Sequence, residues 1–130
     1  MSQYIGALTL LVRDYDEAVD FYIQKLGFNL VEDTDLGNGK RWVLVAPNGP
    51  GATQLLLAKA VTEAQIQQIG NQAGGRVFLF LHTDNFAADY ARLLAQEVQF
   101  LEEPRHESYG SVAVFQDLYG NKWDLLQLEL

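Results

Sequence analysis

The 130-residue chain has no cysteine, two histidines, and only nine lysines and arginines against 17 acidic residues. Without cysteine there is no disulfide framework, no thiolate nucleophile and no sulfur ligand for a metal. The formal net charge of -8 repels phosphate backbones and argues against a nucleic-acid partner. Neither end carries a charged tail, so the excess acid is spread over the surface and speaks for solubility. No apolar run approaches the roughly 20 residues that cross a bilayer. The opening MSQYIGALTL lacks the basic stretch and small-residue cleavage site of a signal peptide, so a cytoplasmic protein with no membrane association is expected. What the chain does have is 48% hydrophobic and 12% aromatic residues, the make-up of a globular domain with a real core.

Sliding the sequence against itself by 70 positions produces a match in pattern without a gap. ALTLLVRD (7–14) falls over VFLFLHTD (77–84), RWVLVA (41–46) over SVAVFQ (111–116), and TQLLLA (53–58) over WDLLQL (123–128). Each half opens on a β-rich run, Ala7–Val12 or Val77–His82, followed by an Asp suited to cap a helix. In the first half Asp14 and Glu17 have capping-box spacing, Ala18, Val19, Tyr22 and Leu26 recur at helical spacing, and Gly27 ends the helix. The second helix spans about Asn85 to Ala95, with Phe86, Tyr90, Leu93 and Leu94 on one side; its apolar face does not follow the offset. Three strands are then expected per half: Asn29–Glu32, Arg41–Ala46 and Gln54–Ala58, and Gln99–Glu102, Val112–Phe115 and Lys122–Leu128. Thr62 and Gln65 suggest a short capped helix in the connector. The pattern predicts one domain over 1–130, with module one at about 3–60, a connector at about 61–75 and module two at about 76–130. Each module is βαβββ.

This doubled unit, with VRDYDEAVDFYIQKLGF (12–28) and VAVFQDLYGNKWDLL (112–126), resembles the vicinal oxygen chelate superfamily, which includes glyoxalase I, extradiol dioxygenases and bleomycin-resistance proteins. The resemblance covers essentially the whole chain. It implies an α+β fold in which two tandem βαβββ modules form a curved, eight-stranded mixed sheet around a cavity, with the helices outside. It also implies a divalent metal held by residues of the first and last strand of each module. Those places fall at Ala7, Gln54, Val77 and Asp124. Alanine and valine have no lone pair to donate, so no metal cofactor is expected at the usual site.

Strand alternation predicts a cavity face of Ala7, Thr9, Leu11, Gln54 and Leu56 from module one, with Val77, Leu79, Leu81, Asp124 and Leu126 from module two. Thr9, Gln54 and Asp124 are its polar groups, and Tyr109 stands on a loop where the superfamily lines its cavity entrance. These four are the expected contacts of a small organic ligand. Pairing of Asp124 with Arg13, Arg41 or Arg76 is the structural alternative. His82 is expected to point away from the cavity face and His106 to lie in a polar loop, with a His106–Asp124 acid–base pair conceivable. Trp123 should face the helices. Three functions follow: a metal-free small-molecule binder like the bleomycin-resistance proteins, a metal-dependent lyase, isomerase or dioxygenase of the glyoxalase type, or a non-catalytic structural or regulatory module. The resemblance further implies a homodimer.

Overall fold

Asn38 and Gly39 set the first hairpin. Both have positive φ (55° and 78°), the backbone of a two-residue turn whose twist matches that of the strands it joins. In this computed structural model, which describes residues 1–129, Gly37 pairs with Lys40 across that turn. Strand β2 therefore runs over Asn29–Gly37, nine residues, beyond the Glu32 end expected from sequence. The stretch DLGNGK is thus strand and turn.

The chain forms two compact units, Met1–Ile69 and Gly70–Leu130. The first contains β1 (Ala7–Val12), α1 (Tyr15–Asp20, continued by a π-helical turn over Phe21–Lys25), β2, β3 (Lys40–Ala46), β4 (Gln54–Lys59) and α2 (Glu63–Gln68). The second contains β5 (Val77–His82), α3 (Phe86–Ala95), β6 (Arg105–Glu107), β7 (Gly110–Gln116) and β8 (Lys122–Leu128). Each unit builds a four-stranded mixed sheet of the same design. The orders are β1-β4-β3-β2 and β5-β8-β7-β6, with the first pair parallel and the rest antiparallel. The fold is thus α+β with two βαβββ modules, and neither sheet is closed. No helix among the described residues is long and apolar enough to cross a membrane.

In the first unit Asp14 caps α1, its carboxylate accepting from the Glu17 backbone N–H at 2.9 Å. The π-helical turn follows α1. It turns both Phe21 and Tyr22 inward, where they meet edge to face at 5.3 Å. With Ala18 and Leu26 they cover Leu10, Val12, Val43, Val45, Leu55 and Leu57, all buried. Arg41 ties the helix to the sheet, bonding Asp33 of β2 at 2.7 Å and Asp16 of α1 at 2.8 Å. These two carboxylates, Asp33 first, push its pKa further up. Thr62 and Gln65 form the expected capping box at α2.

The second unit is filled by a line of rings. Phe86 stacks on Tyr90 (5.9 Å), Tyr90 meets Phe100 (4.6 Å), Phe100 meets Phe115 (5.6 Å), and Phe115 stacks on Trp123 (5.7 Å). Each such pair adds about 0.5–1.5 kcal/mol beyond its burial. The apolar face of α3 is spaced to feed this line, which is why it departs from the offset that the strands obey. Trp123 is 2% exposed, on the helix side of its strand as expected. Gln127 fastens the helix start to that same side, accepting from the Phe86 N–H at 2.7 Å. The expected strand Gln99–Glu102 is a correction: only Phe100 bridges to Phe115, and the regular partner of β7 is β6, over Arg105–Glu107. The segment EEPRHE, read as polar loop, supplies that strand.

Candidate functional site

The signature DLYGNKW is built around Asp117, which is 4% exposed. A carboxylate at that depth needs several donors, and it has at least four. Oδ1 accepts from the backbone N–H of Tyr119 (3.1 Å) and Asn121 (3.0 Å). Oδ2 accepts from the Asn121 amide (3.0 Å) and the Trp123 indole N–H (3.2 Å). Asn121, itself buried, accepts from the Gln72 N–H at 3.1 Å and so anchors the segment that enters this unit. Gly70 sits against the turn so closely that a Cβ there would lie 2.1 Å from the Tyr119 carbonyl oxygen. The motif is therefore a scaffold. It fixes where β8 begins and leaves Asp124, the next residue after Trp123, on the opposite face from the aromatic line.

That face differs from the one expected. Val77 pairs with Lys122 and Leu79 with Trp123, so β5 spends an extra residue, Phe78, at the start of its pairing with β8. One extra residue exchanges the two faces of a strand. Phe80 stands opposite Asp124 and His82 opposite Leu126, while Leu79 and Leu81 share the helix side with Trp123 and Leu125. Three expectations are corrected. Val77 does not neighbour Asp124, Leu79 and Leu81 do not share its face, and His82 does. His106 is excluded as an acid–base partner. It alternates with Arg105, pairs with Ser111 and holds that hydroxyl at 2.9 Å, on the side of Gln127 and Phe86.

On its own face Asp124 is flanked in register by Phe80 and Val114. Arg105 approaches from β6, opposite Val112, which in turn pairs with Leu126. Arg13 bonds Glu17, and Arg41 bonds Asp16 and Asp33, each within the first unit. Arg105 itself is held by Glu102 (3.1 Å) and Glu107 (3.4 Å). Glu102 also accepts from the Val114 N–H at 3.1 Å. Asp124 Oδ1 is buried without any hydrogen-bond partner among the described residues. Loss of hydration raises the Asp124 pKa above its ordinary value; the nearby Arg105 charge lowers it, and Glu102 raises it again. Tyr109 occupies the tip of the β6–β7 turn, near the Arg105 side chain. Its neighbour Gly110 (φ 148°) passes so near the Gln127 carbonyl that a Cβ would meet it at 2.0 Å.

In the first unit the face is as expected. Ala7 pairs with Gln54, Thr9 with Leu56 and Leu11 with Ala58, and Leu44 stands beside Leu56. Trp42, which sequence alone reads as packing more than recognition, belongs to this face. It alternates with the buried Val43, stands opposite Thr34 and is 41% exposed, on the same face as Leu44. A groove of about 750 Å³ opens at the start of β1 and β4, lined by Tyr4, Ile5, Ala7, Ala52, Thr53 and Gln54.

These residues do not fit the divalent metal that the resemblance implies. Ala7 beside Gln54 offers one neutral amide oxygen. In the second unit the residue beside Asp124 is Phe80, and Val77 beside Lys122 offers no donor. No group of three or more His, Cys, Asp or Glu among the described residues is arranged to hold an ion.

Two sheets of identical order, each flanked by helices and each presenting an open face, define a known class of protein. Residues 4–125 match the family model described as the Glyoxalase/Bleomycin resistance protein/Dioxygenase superfamily. The chain belongs to that superfamily. It is 55% identical to an uncharacterized protein of Shewanella frigidimarina (strain NCIMB 400), over 98% of this chain and 96% of the relative. Among solved structures it resembles UcmS2 (TM-score 0.83, 32% identity, 97% and 98% of the two chains covered). It also resembles TnmS3, an antibiotic binding protein from Streptomyces sp. CB03234 (TM-score 0.78, 31% identity, 98% of each chain).

Proposed function

We propose that this protein binds a small organic molecule on the open faces of its sheets, without a metal at the superfamily's usual positions, and sequesters or carries it without chemical turnover. The observation that carries this reading is the Asp124 carboxylate, placed among Phe80, Val114 and Leu126 with an oxygen that no group among the described residues bonds. A charge left that way costs stability, and a ligand donor is the economical reason to keep it. In this reading Asp124 and Tyr109 are the polar contacts of the second unit. Thr9 and Gln54 are those of the first, with Trp42 as an apolar platform further along the same face. The likeness to an antibiotic binding protein supports a drug-like ligand over a metabolite undergoing reaction. The donor set at the metal positions supports binding over metal-assisted catalysis. On the same reading the protein acts as a cytoplasmic homodimer, which sedimentation equilibrium checks directly.

The test is thermal. Metal-stripped protein is melted with zinc, nickel, manganese or ferrous ion at stoichiometric amounts, and separately with a library of aromatic natural products. The reading expects no shift with any ion and a dose-dependent rise with at least one organic compound. A rise with a stoichiometric ion that disappears in Asp124→Ala would replace it by the metal-dependent reading.

A further inference from the structure

We propose that the ligand enters the second unit with a hydrogen-bond donor, an amine, amide N–H or hydroxyl carried on an apolar frame, directed at Asp124. This rests on the reading that the open face binds an organic molecule, and it adds which chemistry the face selects. An ionised carboxylate only accepts. Neither of its oxygens is used by the protein among the described residues, and a turn about the last side-chain bond exchanges them at little cost. Arg105, the cation nearest in this setting, is already engaged by Glu102 through Nε (3.1 and 3.2 Å) and by Glu107 through Nη1. It is no ion-pair partner of Asp124. The titratable and charged groups presented here are Arg105 from β6, Glu102 before it, Lys122 on β8 and the neighbouring His82 on β5. Glu102 is the anion whose field reaches Asp124, so a carboxylate or phosphate ligand would be set against two like charges. Phe80, 57% exposed and directly in register with Asp124, offers the flat apolar surface on which the rest of the ligand would lie.

The experiment uses two probes of one shape, 1-naphthylmethylamine and 1-naphthoate, titrated into isotope-labelled full chain at about 0.15 M salt, where long-range attraction to an acidic protein is screened. The backbone amide shifts of Phe80, Val114 and Leu125 are followed. The amine is expected to bind about tenfold more tightly than the carboxylate. In Asp124→Asn, whose amide spectrum reports that it is folded, most of that preference should vanish. Equal affinity for the two probes, or a preference that survives in Asp124→Asn, overturns the inference while leaving a binding face in place. If neither probe moves those three amides, the inference falls, and the parent reading is then decided by the melting experiment with the wider set of compounds.

Discussion

Phe80 and Asp124 are cross-strand partners, an exposed ring beside a carboxylate whose Oδ1 is buried and unbonded. That relationship exists only because Phe78 is an extra residue in β5. Without it Leu79, in place of Phe80, would take that position. The cost of the arrangement should be measurable. Asp124 has a folded pKa above its unfolded value of 3.8, so the folded state binds the additional proton. Stability then falls as pH rises from the unfolded value through the folded one, and stays lowered above it. Asp124→Asn should therefore raise the unfolding free energy at pH 7, by something of order 1 kcal/mol once solvent screening of a partly exposed group is allowed for. The gain should disappear below the ordinary carboxylate range. Chemical denaturation at several pH values checks both statements. A gain in stability paired with a loss of ligand binding is what a functional residue shows.

Asp117 behaves in the opposite way, because all its bonds are made. Asp117→Ala leaves the buried Trp123 indole N–H and the Asn121 amide without an acceptor. A loss of about 2–4 kcal/mol is expected. Near-ultraviolet circular dichroism of the tryptophans should change with it. Asp117→Asn does not restore the site, since its NH2 group would face two donors.

Gly70 and Gly74 separate strain from clash. Both have positive φ (75° and 63°), but a Cβ at Gly74 meets nothing within 4 Å, whereas at Gly70 it meets the Tyr119 carbonyl oxygen at 2.1 Å. Gly74→Ala should cost about 1 kcal/mol of backbone strain. Gly70→Ala should cost clearly more, because the turn that holds Asp117 must move. Thermal melts of the two variants side by side decide this.

Arg41 is a two-carboxylate clamp on a part-buried surface, bonded through two nitrogens to Asp33 and through one to Asp16. Lysine cannot reproduce the fork. Arg41→Lys is expected to lose about 1 kcal/mol, and the loss should shrink in high salt. A double-mutant cycle with Asp33→Asn measures the pair itself.

Much of this architecture was legible because the strands carry a period of two and turn residues punctuate them. The order of elements, the α1 and α2 caps and the inward Trp123 follow from local chemistry. The first unit's open face followed too, since β1 and β4 pair without interruption. What sequence did not reveal depends on contacts between distant segments. The bulge at Phe78 leaves no mark in composition, yet it moves His82 and Phe80 to the Asp124 face. Strand β6 lies in a charged stretch that only its pairing with β7 makes extended. Trp42 reads as packing until its alternation with Val43 is fixed in space. Asn38-Gly39 was the exception, a turn signal available in the sequence that would have extended β2 to its full length.

Native mass spectrometry of the protein isolated from its own cells tests the central claim most directly. The account predicts a bound species with the mass of an organic compound, released by Asp124→Ala, and no mass matching a divalent ion. A stoichiometric zinc, nickel, iron or manganese adduct lost on the same substitution would contradict it.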